Sequence, residues 1–171
     1  VLTDDDVLAG TVRSWRQHGR VDPTGLHEAP AGNSRLDEIQ AAVLRLRLAD
    51  LDAALRRRRT LSQRYRAGLE GCIGYTDHGR HGAPHLAVVR VDDPDGLAEH
   101  LRANGIGSRR HYPRPLCEEP GLAAWAKATP HARAWAQTCL SLPLWPGLSL
   151  TVVDDICASV AQWVASRPPR T

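Results

Sequence analysis

The stretch Gly32–Ala42, GNSRLDEIQAA, separates a segment rich in proline and glycine from a long run of leucine, alanine and arginine. Ser34 and Asp37, three apart, match a capping box, and no proline or glycine interrupts the chain until Gly68. The pattern therefore predicts one helix from about Ser34 to Leu69. At 1.5 Å per residue it would run about 50 Å, more than a compact domain of this size needs. Ile39, Val43 and Leu46 share one face; Leu44, Leu48, Leu51 and Leu55 share another, about 130° around the axis. Two apolar faces imply two packing partners: the helix's own domain and an interface. At the mouth of this helix stand Asn33 and Arg35. A helix start offers unpaired N–H groups and partial positive charge, and an amide and a guanidinium are good donors to phosphate oxygens. The pair is a candidate anion site. Locally, a plain cap with a solvated arginine accounts for the same residues.

Outward from that helix, VLTDDDVLAGTVRSWRQH at residues 1–18 predicts a strand end and then a short helix. Thr3 and Asp6 match a second capping box, and Val7, Leu8, Val12 and Trp15 supply an apolar face. Pro23, Gly25 and Pro30 make residues 19–31 a loop. From Gly71 the texture becomes that of a compact α/β module. HLAVVRV at 85–91 is a buried strand, 94–104 a helix ended by Gly105, and GSRRHYP at 107–113 a second strand or extended segment. Helical patterns follow near 121–128 and 130–139, then an extended SLPLWPGLSL at 141–150 and a final helix at 151–166.

Composition narrows the function classes. The chain has 171 residues, 42% hydrophobic and 24% charged, as in a globular protein. No apolar run reaches bilayer length and the N-terminal residues lack a signal-peptide pattern, so the cytoplasm is the expected location and no membrane partner is expected. Cys72, Cys117, Cys139 and Cys157 are scattered, which fits reduced thiols better than disulfides or zinc. The net charge of +3 gives no argument for nucleic acid. Lys127 is the single lysine, against 21 arginines.

Three other clusters contain side chains that could do chemistry. Arg109-Arg110-His111-Tyr112-Pro113 places a basic cluster beside an aromatic hydroxyl, as in a pocket for an acidic substrate, or else forms a surface strand. His78, His81 and His85 have tempting spacing, but Gly79, Gly82 and Pro84 break any common face and no acidic or cysteine ligand stands near, so no metal is expected. The run Arg56–Arg59 points in all directions on a helix, which suits a solvated face or salt bridges across a dimer better than nucleic acid. No Gly-rich phosphate loop, G-x-S-x-G or H-E-x-x-H is present.

Five stretches, in order, resemble the DegT/StrS-type (DegT/DnrJ/StrS) sugar aminotransferases: VLTDDDVLAGTVRSWRQHG at 1–19, the block at 32–69 that opens GNSRLDEIQAA, HLAVVRV at 85–91, GIGSRRHYPRPLCEEPG at 105–121 and CLSLPLWPGLS at 139–149. The resemblance implies an α/β fold, the C-terminal part of a fold-type I pyridoxal-phosphate-dependent transferase. Residues 1–32 would be a remnant of the large cofactor-binding domain, 33–70 a long interdomain and dimer-interface helix, and 71–171 the small C-terminal domain. It implies that Asn33 reaches the pyridoxal 5'-phosphate of a neighbouring subunit, where the local reading adds Arg35 as a second phosphate donor, and that His111 and Tyr112 border the sugar-nucleotide pocket. The reaction implied is amine transfer from glutamate or glutamine to a keto sugar nucleotide. The partner implied is a second copy or a full-length homologue whose site this chain completes. Cys117 stands where the family pattern has histidine. The family's Schiff-base lysine is expected before Val1, and Lys127 lies in the wrong place to replace it, so the chain alone is expected to be inactive and to self-associate.

Overall fold

The structure, a computed structural model, describes residues 1–20, 25–27, 29–79 and 81–167. The chain divides into two compact units, Val1–Asp50 and Leu51–Thr171. Among the described residues no helix is long and apolar enough to cross a membrane.

The first unit contains helices α1 (Asp6–Arg16) and α2 (Glu38–Leu48). The cap of α1 is Asp5, whose carboxylate accepts from the amides of Val7 and Leu8 at 2.8 and 3.0 Å; Thr3 accepts from Asp5 N instead. Neither helix has a buried residue. What holds the unit together is the backbone between them. His18 N donates to Gly32 O, Ser34 N donates to Arg16 O, and Gln17 and Asn33 form an antiparallel bridge. Gly19 makes the turn possible: its φ is +78°, and a Cβ there would lie 1.9 Å from Ala29 O. Pro23, part of the predicted loop, lies outside the described residues.

The single helix predicted from Ser34 is corrected here in two ways. It starts at Glu38, because Ser34 N is engaged by Arg16 O, and Asp37 takes the cap by accepting from Ile39 N at 2.9 Å. It is also interrupted at Ala49–Asp50, where Asp50 N turns to Arg47 O three residues back; α3 (Leu51–Leu69) follows and ends at the predicted residue.

The second unit contains α3, the strands β1 (Gly74–Tyr75) and β2 (Ala87–Arg90), α4 (Pro94–Ala103), two 3-10 turns at Leu116–Glu118 and Pro120–Trp125, α5 (Pro130–Thr138), β3 (Cys139–Leu142) and α6 (Leu150–Ala165). The three strands form one antiparallel sheet in the order β1-β2-β3, with Val89 opposite Leu140 and Ala87 opposite Leu142. That register puts four apolar side chains on one face, and all four are buried. Leu61, Tyr65 and Leu69, at helical spacing on α3, close over Val153, Ile156 and Val160 of α6 in the same core. Gly68 lets those helices approach, since a Cβ there would lie 2.8 Å from Cys157 Sγ. Burial pushes the Cys157 thiol up to about 11. Residues 107–113 form no strand: Arg109 makes an isolated antiparallel bridge to Ser141, and the chain bends at His111 and Pro113.

The arginine run has a different use from the solvated or dimer-bridging one expected. Arg57 donates to Leu148 O at 2.7 Å. Arg58 donates to His85 O and Leu144 O at 3.1 and 3.0 Å, and Arg59 to Gly82 O at 2.8 Å. Loops have carbonyls with no ladder partner, and a guanidinium with five donors can satisfy several at once. Arg58→Ala is therefore expected to lower stability by about 1.5–3 kcal/mol, with little recovery in Arg58→Lys. Denaturant unfolding checks this, and an unchanged midpoint would return the side chain to the solvent.

Candidate functional site

Two groups of side chains carry the predicted chemistry, one in each unit. In the first unit, Asn33 is held on both sides by the backbone bonds at Gly32 and Ser34. Its Oδ1 accepts from Arg35 N at 3.2 Å and from Arg35 Nε at 3.3 Å. The structure thus brings the two predicted residues together, with the acceptor end of the amide consumed internally. The Asn33 Nδ2 donors and the outer guanidinium nitrogens of Arg35 have no partner among the described residues, and both side chains are exposed. This is a donor set suited to phosphate oxygens.

The physical basis differs from the one expected. The N-terminus of α2 is occupied by the carboxylates of Asp37 and Glu38, which already answer its positive end. An anion at the pair would be held by side chains on the non-helical segment four and two residues before the cap Asp37. The chemistry of the donors fits; the helix dipole is not part of it.

In the second unit the predicted Arg109–Pro113 cluster is divided. Arg110 turns away, pairing with Asp95 at 2.9 Å and donating to Ala136 O at 2.8 Å, so it serves the packing of α4 and α5 and not a pocket. Arg109 exchanges both backbone hydrogen bonds with Ser141, at 2.9 and 3.0 Å. His111 Nδ1 and Ser141 Oγ share a hydrogen bond of 2.9 Å. Tyr112 is 75% exposed, its ring uncovered. His111 and Tyr112 are thus presented outward, while Ser141 beneath was not singled out in the sequence. Its one signal was a hydroxyl in an otherwise apolar strand.

The other candidates are placed as follows. His78 bonds Leu86 O through Nε2 at 3.1 Å, and no group of three metal-ligating side chains is assembled among the described residues. Cys117 Sγ lies 2.9 Å from Thr129 Oγ1. Lys127 is exposed, between the second 3-10 turn and α5.

Residues 1–161 match the family model described as the DegT/DnrJ/EryC1/StrS aminotransferase family. The chain belongs to that family. It is 38% identical over 170 residues to a dTDP-3-amino-3,4,6-trideoxy-alpha-D-glucose transaminase of Streptomyces venezuelae, covering 95% of this chain and 45% of the relative. It is 37% identical to the erythromycin biosynthesis sensory transduction protein EryC1 of Saccharopolyspora erythraea, covering 94% of this chain and 45% of that protein. Among solved structures, that of S. venezuelae DesV in complex with a ketimine intermediate superposes with a TM-score of 0.85 at 36% identity, covering 98% of this chain and 47% of DesV. The chain spans about half the length of the relatives it matches, corresponding to their C-terminal part. Its α/β fold is that of the same part of these transferases, and the family's chemistry is amine transfer with pyridoxal phosphate.

Proposed function

We propose that these residues form the phosphate-gripping and small-domain portion of a pyridoxal-phosphate-dependent sugar-nucleotide aminotransferase. Residues 1–32 belong on this reading to the large domain, 33–70 to the connection and dimer interface, and 71–171 to the small domain. The observation that carries it is the Asn33–Arg35 pair, whose free donors face outward while their shared acceptor is already satisfied. Asn33 Nδ2 and the Arg35 guanidinium donate to phosphate oxygens of cofactor held mainly by another subunit, either a second copy or a full-length homologue. Pyridoxal phosphate supplies, when bound, the electron sink that makes amine exchange feasible. The lysine that anchors it comes from polypeptide other than these 171 residues. His111 and Tyr112 border the keto-sugar nucleotide, offering a ring nitrogen and a phenol to its oxygens; glutamate or glutamine gives the amine.

Complementation tests this. A full-length family member whose own equivalent asparagine is replaced by alanine is mixed with this chain, and cofactor retained after gel filtration is measured with the rate of amine transfer. The chain alone is expected to transfer no amine. Addition of the wild-type chain is expected to raise cofactor retention about ten- to hundredfold, the worth of a hydrogen bond to a charged group, and Asn33→Ala to remove that gain. Equal retention with Asn33→Ala would refute the reading.

A further inference from the structure

We propose that Ser141 is a positioning residue: its hydroxyl donates to Nδ1 of His111 and fixes the imidazole with Nε2–H facing outward as a donor. The inference rests, for its ligand, on the sugar-nucleotide reading above; for its geometry it stands on the strand alone. Strand β3 is buried along all four residues, a setting that favours an uninterrupted apolar run. Ser141 is nevertheless a hydroxyl there and is only 6% exposed. A buried hydroxyl needs a partner.

Its backbone offers no explanation, because both N and O of Ser141 are engaged by Arg109. The cross-strand neighbour of Ser141 on β2 is Val88, which brings no side-chain hydrogen-bonding group. What remains is His111, two residues beyond the bridge, with Nδ1 at 2.9 Å from Oγ. Among the described residues no other hydrogen bond is formed by this hydroxyl; were it to accept from Nδ1–H, its own proton would be buried without an acceptor, so that proton is placed toward Nδ1. A ring nitrogen that accepts carries no proton, and in a neutral imidazole the proton is then on the other nitrogen. Nε2–H has no protein partner among the described residues and the ring is exposed. The product is a fixed, outward N–H donor, matched to the hydroxyl, keto and phosphate oxygens that a sugar nucleotide presents densely.

The arrangement separates two jobs. The bridge at Arg109 sets where the segment lies, and the Ser141 hydroxyl sets which way the His111 ring presents its proton. Alanine at 141 would keep the strand and lose the second job; threonine would keep both, since its hydroxyl is retained and its branched side chain suits a strand.

The test uses the full chain, labelled with nitrogen-15, and long-range proton–nitrogen correlation of the His111 ring in its neutral form. The wild type is expected in the Nε2–H tautomer, Ser141→Ala as the tautomer mixture of a solvated imidazole, and Ser141→Thr as the wild type. An Nδ1–H ring in the wild type, or no change in Ser141→Ala, would overturn the proposal. The ligand half is read in the complemented assembly with dTDP-glucose as probe: Ser141→Ala is expected to weaken binding about three- to tenfold and Ser141→Thr to leave it intact. Unchanged dTDP-glucose affinity beside an altered tautomer would reject His111 as a ligand donor. Failure of complementation itself would strike the aminotransferase reading and leave the spectroscopic result to decide the role of Ser141.

Discussion

Tyr65→Ala is expected to remove about 3–5 kcal/mol from the second unit, enough to leave a domain of ordinary stability largely unfolded under mild denaturant. Tyr65 is fully buried where α3 meets α6, and it stacks on Tyr75 with ring centroids 6.4 Å apart. Its hydroxyl donates to Pro143 O at 2.8 Å, so truncation leaves both a cavity and a carbonyl without a donor. Burial also holds the phenol well above its usual pKa, and the group stays neutral through the physiological range. Tyr65→Phe separates the two contributions. It keeps the ring and loses the bond, for an expected cost of about 1–2 kcal/mol. Urea unfolding of the two variants gives the comparison; equal losses would mean that the hydroxyl, and not the packing, dominates.

The second large effect concerns association. Ile39 and Leu46 are each 77% exposed, and Val43 between them is exposed as well. The other stripe is partly open too, with Leu44 and Leu48 on α2 and Leu51 at the start of α3 exposed, while Leu55 is half-buried. Burying three such side chains is worth about 1.5–3 kcal/mol each, comparable in sum with the ~8 kcal/mol of a micromolar complex before ordering costs are subtracted. At tens of micromolar the chain is therefore expected to sediment as species larger than its 18.7 kDa monomer. Replacing Ile39, Val43 and Leu46 together by glutamine keeps helix propensity and is expected to restore the monomer. Sedimentation velocity decides, and a wild-type chain that is already monomeric would remove the stripe from consideration as an interface.

Much of the second unit was legible because its signals are local. HLAVVRV contains β2, Pro94 and Gly105 bracket α4, and α6, capped by Ser149, begins one residue before the predicted start. Strand β3 was partly missed: Cys139 was assigned to the preceding helix, whereas Thr138 is its last residue. A four-residue segment such as Cys139–Leu142 is too short for its periodicity to separate a strand from a helix end. The start of α2 was misplaced for a related reason. Ser34 and Asp37 are both good caps, and sequence cannot tell which amide a distant carbonyl will claim.

The sequence by itself determined that the chain is amphipathic in two stripes, that a mixed α/β texture sets in after Gly71, that the order of its motifs is that of the sugar aminotransferases, and that Asn33 and Arg35 are close enough to act together. Only the tertiary structure decided that Arg57, Arg58 and Arg59 clamp loop carbonyls, that Arg110 leaves the basic cluster for Asp95, and that Ser141 lies under His111. The reason is physical: periodicity and caps are set by neighbours along the chain, whereas the acceptor that a long side chain finds is set by backbone brought close by folding from dozens of residues away.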